Sequence, residues 1–399
     1  MRGAAPRARM SASLQALTSA ALAIPGMAQA ADIETDYLYS RYEEGDLPAA
    51  DSASGRASER YSIDSHLFRV AGVVGAGNVA ADLTVESMSG ASPWWVQPGA
   101  DGRPVQVMSG ASIEEERVDL QLSYAQPVGV IDAVAKLGYS DEDDYQAANV
   151  GFEAQYTPPG APYTLSAGIG YSDDRIEPTE GGSAQYPDRI RSADKNTWTS
   201  YAGASWILGP QTVVQGVFGY TRHDGYLTDP YKRAYFVASA GTVPESRPDG
   251  RQIWTLSGRL RHYLPALSAA LHLDYRFFRD DWKIESHTLE LAWQQRIGEA
   301  WLLSPSVRWY SQSQAFFYAP YYADFRDDGF ASSDYRLSPF GAVSARLDLK
   351  RSIARHWTVG AGIEVYEASG DYAIRSVDVE NPGLVDYTSL QLRVGYRFE

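Results

Sequence analysis

The chain has 399 residues, a formal net charge of −15, no cysteine, 27 tyrosines and 10 tryptophans. The acidic balance argues against nucleic acid as a partner, and the lack of cysteine excludes thiol chemistry and disulfide staples. No apolar run approaches the ~18 residues a membrane helix needs; the mean hydropathy of −0.33 looks soluble, but strands that are polar on one face escape that measure.

The first residues read as an export signal. Arg2, Arg7 and Arg9 form a basic start, 16–24 is a short apolar run, and Ala28, Gln29 and Ala30 make an A-x-A cleavage site. Cleavage is expected between Ala30 and Ala31, which divides the chain into a signal peptide (1–30) and one mature domain (31–399).

Beyond it the dominant pattern has period 2. Leu390, Leu392, Val394, Tyr396 and Phe398 alternate with polar residues or glycine, and so do Tyr163, Leu165, Ala167, Ile169 and Tyr171. Such alternation marks strands with one apolar and one wet face. In a soluble sandwich the apolar face would meet a second apolar face; here the wet faces carry Arg, Glu, Gln and Ser strand after strand and aromatics cluster at the strand ends, the marks of an outer-membrane barrel with lipid outside and a polar lumen. Strands are expected at 61–73, 78–88, 115–124, 130–140, 147–156, 163–172, 196–207, 211–221, 252–262, 269–279, 286–296, 301–312, 338–349, 356–367 and 385–398. Connections alternate between short Gly- and Pro-rich turns and longer loops, the asymmetry of periplasmic and external sides. The first clear turn, around Gly75, is short, so an outward strand must precede 61–73; residues 32–42 supply it. The expectation is therefore an all-β fold, a transmembrane antiparallel up-and-down β-barrel of about sixteen strands (alternatively fourteen), exported to the bacterial outer membrane. Its partners would be outer-membrane lipid and lipopolysaccharide. The barrel assembly machinery would read the C-terminal strand, whose aromatic Phe398 lies one residue from the end.

Parity assigns Arg259, Arg261, Arg276, Arg308 and Arg346 to the lumen, together with Asp119, Glu153, Asp274, Glu290, Asp348 and Glu364. These either knit a structural network or line a channel, with Arg259, Arg261 and Arg276 as a strip attractive to anions. The external loops hold aromatic groups, Phe316, Phe317, Tyr318, Tyr321 and Tyr322, and near the duplicated MSGAS segments (88–92 and 108–112) Trp94 and Trp95. They would either pack the loops or ring a pore mouth and stack on a solute. Asp141, Asp143 and Asp144 are weak Ca²⁺ candidates, because carboxylates suit a hard cation but lack a dedicated loop spacing; solvated loop charge is the plainer reading. None of the six histidines forms H-E-x-x-H, and no nucleophile elbow occurs, so neither catalysis nor a cofactor is expected.

Several stretches together resemble a bacterial family of roughly 400-residue secreted outer-membrane proteins with a domain of unknown function. They are Ser109 to Ser112 followed by Glu115, Glu116 and Arg117; Tyr139 to Tyr145; Asp224 to Tyr231; Arg259 to Pro265; Tyr275 to Trp282; Glu285 to Thr288; and Arg308 to Gln312. The insertion from Trp94 to Val107 and the terminal Glu399 depart from the family pattern. The resemblance implies a barrel and no assigned activity. It also implies a redox context, with periplasmic flavin-transfer or thioredoxin-like neighbours. The function expected from the residues is a pore or solute-binding channel for small polar or anionic solutes; a non-conducting structural or assembly component is the alternative.

Overall fold

The computed structural model describes residues 33–109 and 113–398, with 113 and 114 described by backbone alone. The expected signal peptide, its cleavage point at Ala30 and Ala31, most of the second MSGAS segment and Glu399 lie outside the described residues.

Sixteen strands close into one barrel. In chain order they are β1 (Ile33–Glu44), β2 (Ser62–Val74), β3 (Gly77–Gly90), β6 (Ile113–Val128), β7 (Ile131–Glu142), β8 (Tyr145–Tyr156), β9 (Tyr163–Ile176) and β10 (Ala193–Gly209), then β11 (Thr212–Gly225), β14 (Gly250–Leu264), β15 (Ala269–Asp280), β16 (Glu285–Ile297), β17 (Trp301–Gln312), β18 (Phe340–Ile353), β19 (Trp357–Ser369) and β20 (Tyr387–Phe398). Two loop hairpins stand apart from the wall: β4 (Pro93–Pro98) with β5 (Pro104–Met108), and β12 (Arg233–Phe236) with β13 (Gly241–Pro244). Each wall strand pairs antiparallel with its chain neighbours, and β1 pairs with β20, from Ile33 opposite Phe398 to Glu44 opposite Tyr387. Closure leaves no open edge, the condition for putting strands in hydrocarbon. The strand added by the parity argument is thus the one that closes the barrel.

The two faces separate as the alternation requires. Leu137, Phe152, Ile169, Phe218, Leu256, Val307 and Leu392 are all exposed on the outer face. Cross-strand aromatic pairs bound this apolar band. Tyr163 packs on Trp206 and Trp357 on Tyr396 near the short turns; Tyr171 packs on Trp198 and Tyr220 on Trp254 near the long loops. Tyr163 and Tyr171 are eight residues apart on β9, about 26 Å along the strand, or about 20 Å of height at the usual barrel tilt, so the two rings sit toward the two borders of a lipid-facing band. On the inner face Gly168 clears room for a ring: a Cβ there would lie 2.4 Å from Tyr201.

At one end the connections are tight turns of a few residues. At the other, long segments fold over the mouth and pack on each other. Gly90 makes one corner of this cap, with φ +134° and Arg60 so close that a Cβ would meet its carbonyl oxygen at 2.1 Å. Phe317 is fully buried with Trp282, Ile284, Ala315, Tyr318 and Leu337; a second cluster holds Ala234, Phe236, Tyr322 and Ala331.

The register makes a direct test. Ala167, midway between the two girdles on β9, faces outward and Ser166 faces the lumen. Ala167→Arg should cost roughly 2–4 kcal/mol, whereas Ser166→Arg should be tolerated. Unfolding free energies of refolded variants in lipid bilayers check this, and a larger loss for Ser166→Arg would mean an inverted register.

Candidate lumen site

Every lumen residue named from parity points inward, because each shares a face with neighbours whose alternates meet lipid. The wall is largely a set of ion pairs. Arg69 meets Asp82 at 2.7 Å, Arg117 meets Glu86 at 3.1 Å and Glu142 at 3.4 Å, and Lys136 pairs with Glu153. Arg261 binds Asp274 at 2.8 Å through both carboxylate oxygens, and Arg259 reaches the same group at 3.5 Å. Arg346 contacts Asp348 at 2.6 Å, Gln391 at 2.8 Å and Glu364 at 3.8 Å. The strip of Arg259, Arg261 and Arg276 is therefore not uniform: Asp274 answers the first two.

Two cations differ. Among the described residues, Arg276 and Arg308 have no carboxylate within 4.0 Å. Glu290 lies opposite both Asp274 and Arg308 in the strand register but contacts no cation at that distance. Arg276 lies opposite Thr288 and Thr288 opposite Tyr310, two residues from Arg308 on β17, so the three share one level of the β15–β17 wall. Beside them is an aromatic run. Tyr366 of β19 stacks on Tyr387 of β20 at 4.6 Å and 12°, and Tyr387 packs on Tyr42 of β1 at 4.8 Å.

The cap above is held by buried charge. Arg247 meets Glu245 at 2.7 Å and Asp334 at 2.8 Å; Arg336 also binds Asp334 and reaches Asp229 at 3.3 Å. The Glu245 and Asp334 side chains are 0% exposed. These groups join the β11–β14 loop to the β17–β18 loop. Burial pushes the Glu245 carboxyl above its ordinary value, against the pull of Arg247. Burial acts on Asp334 in the same sense, but Arg336, Lys232 and Arg247 outweigh it and hold that carboxyl well below the usual range. Removing one member of such a cluster is expensive, because it strands a desolvated charge.

Further contacts carry the cap across the mouth. Tyr231 donates to Asp144 at the β7–β8 turn and packs against Met88 of β3 and Tyr61. Lys232 donates to the Pro93 carbonyl at 3.2 Å, and Asn381 to the Ser333 carbonyl at 3.0 Å. β3 and β11 stand six places apart in the sixteen-stranded ring, so the β11–β14 loop reaches far over the lumen. A cavity of about 130 Å³ lies beneath it, bordered by Lys195, His223, Arg251, Tyr226, Arg247 and Arg336.

The loop aromatics pack the cap. Phe317, Tyr318 and Tyr322 are buried; Phe316 is half-buried in the same cluster, and Tyr321 donates to the Gly102 carbonyl at 2.8 Å. Trp94 and Trp95 pack together at 4.8 Å on β4, next to the fully buried Val96. Of the acidic candidates, Asp141 and Asp143 are exposed, and only Asp144 is buried. Asp144 gathers instead with Glu115 and Glu142, their oxygens within 4.8 Å of one another; Arg117 and Tyr231 attend this trio. His272 faces the lumen and His287, on Tyr275 at 2.7 Å, faces outward, so they do not pair. The sequence reading missed the cap cluster. Its one trace is a repeated acid-x-Arg spacing in two loops, Glu245 with Arg247 and Asp334 with Arg336. It also missed the tyrosine run, which the parity argument applied to Arg and Glu would have placed inside.

Solved structures share the architecture. CdiB from Acinetobacter baumannii aligns with a TM-score of 0.51 and 9% identity over 92% of this chain and 60% of its own. A bacterial polysaccharide outer membrane secretin gives a TM-score of 0.47, 10% identity and coverage of 92% and 98%. The outer membrane protein opdK from Pseudomonas aeruginosa gives 0.40, 11%, 92% and 98%. At such identities the likeness is one of fold, that of an outer-membrane β-barrel. No curated protein matches the chain by sequence. A family model does match, over residues 14–384, and the chain belongs to that family, the protein of unknown function DUF3570.

Proposed function

We propose that this barrel is a gated outer-membrane channel for small solutes, with a preference for anions. One observation carries the reading: in a lumen whose other named cations are answered by carboxylates, Arg276 and Arg308 are left unanswered below the cap. Barrels of sixteen strands leave an aqueous lumen unless loops fill it. The short turns are too small to cover their end, so the cap is the gate. Screening at physiological salt confines each charge to about 8 Å. A permeating ion therefore feels the lumen arginines more than the acidic chain average. The ion pairs that tie two loops together in the buried cap cluster favour a second reading, a non-conducting structural component.

Planar-bilayer recording separates the two. Asp334→Asn should leave Arg247 and Arg336 poorly compensated and raise the open probability at least tenfold over wild type. A barrel that stays silent after this change and after removal of 313–339 would be a scaffold.

Acidity should act on the gate with two signs. Glu245 has a raised pKa in the closed cap, so closure takes up a proton and is favoured as pH falls from neutral. Asp334 has a lowered one, so its contribution is present above the ordinary aspartate value of about 3.9 and is lost below it. Open probability should fall as pH drops toward the ordinary glutamate value of about 4.3 and rise again once pH falls below the ordinary aspartate value of about 3.9. In Glu245→Gln the first arm should flatten.

Selectivity offers a third measurement. In a salt gradient the reversal potential should indicate anion preference. Arg276→Gln with Arg308→Gln should move it toward cations; an unchanged value would remove these residues from selectivity.

A further inference from the structure

We infer that the lumen wall from β15 round to β1 is a binding site for an organic carboxylate carried on a flat, unsaturated ring. The inference deepens the channel reading and rests on it for the route a ligand takes; binding itself requires no conduction.

Two kinds of group meet there. Arg276 and Arg308 are cations without a carboxylate within 4.0 Å among the described residues. A guanidinium presents a planar fork that matches a carboxylate through two parallel hydrogen bonds. Next to them Tyr310, Tyr366, Tyr387 and Tyr42 line the wall, the last three in one continuous ring contact. In the register Arg308 lies opposite Ser344, Ser344 opposite Tyr366 and Tyr366 opposite Tyr387, so the arginine and these tyrosines stand at one level of the inner face. These rings are only half-buried, which leaves aromatic surface facing lumen water. Although Glu290 lies across the strand pair from Arg308, neither arginine is in ion-pair contact with it, and tyrosines flank them on the inner face. A ring-bearing anion satisfies both parts at once: its charge meets the two arginines and its ring meets apolar aromatic surface.

The surrounding charges set the limits. Glu364 accepts from Tyr387 at 3.3 Å and is held by Arg346, so it is occupied. Glu290, opposite Arg308 in the register, has no cation within 4.0 Å among the described residues. It opposes an anion at Arg308, so its neutralisation should help binding.

Titration calorimetry on the refolded barrel in detergent tests the site, with benzoate, inorganic phosphate and benzyl alcohol as probes. Folding of each variant is checked by heat-modifiable gel mobility. Benzoate should bind at least tenfold more tightly than either other probe. Arg276→Gln with Arg308→Gln should weaken benzoate at least tenfold, Tyr387→Ala should weaken benzoate and leave phosphate unchanged, and Glu290→Gln should tighten benzoate. Phosphate binding as tightly as benzoate would overturn the ring requirement. Benzoate binding unchanged in the double arginine variant, or weakened by Glu290→Gln, would overturn the site. Parallel bilayer recordings keep the two readings apart: benzoate binding in a silent barrel overturns the channel and leaves the site, while conductance without benzoate binding does the reverse.

Discussion

The pairing of β1 with β20 is the contact on which the molecule depends. Until it forms, both strands present unpaired N–H and C=O groups to hydrocarbon, where each such group costs several kcal/mol. Once it forms, every wall strand has two neighbours, and period-2 alternation decides the rest. Lipid takes one face, and the other becomes a lumen whose charges must find partners or water. The ion pairs of the wall follow from that enclosure, and so does the significance of the few charges that lack them.

The cap obeys a different logic. It is made of loops without long strands and without disulfides, yet its Glu245 and Asp334 side chains are fully buried. Its apolar contribution comes from two small aromatic clusters around Phe317 and Tyr322. Its specificity comes from Arg247 and Arg336 shared between acids of two loops. Buried ion pairs add little net stability compared with a hydrophobic replacement, but they are costly to break singly. In the proposed channel such a cap would be well defined when shut and would respond to protonation of two carboxylates, Glu245 and Asp334, which are shifted in opposite directions.

The barrel was legible because its physics is local. Tyr163 to Tyr171 can be assigned two faces from nine residues, and loop-length parity supplied β1 although its sequence alone is unremarkable. The inward set was legible for the same reason. What could not be read was partnership across distance. Asp274 is one strand away from Arg259 and Arg261, but nothing in the sequence says it turns to them and leaves Arg276 aside. The link from Tyr231 to Asp144 spans 87 residues and joins the β11–β14 loop to the β7–β8 turn, past two intervening wall strands. Loop residues have no period, so the cap became visible only in three dimensions, and with it the packing role of aromatics such as Phe317 that the sequence left undecided.

The joining of loops over the mouth also changes what the cell displays. Because the loops share buried side chains, the outward surface is a composite: Gly102 from one loop lies against Tyr321 from another, and Phe236 against Phe325. An antibody or phage adhesin that recognises this face would read residues far apart in the chain, held in one arrangement. Such an epitope disappears when the protein is denatured, and a substitution in one loop can erase recognition centred on another.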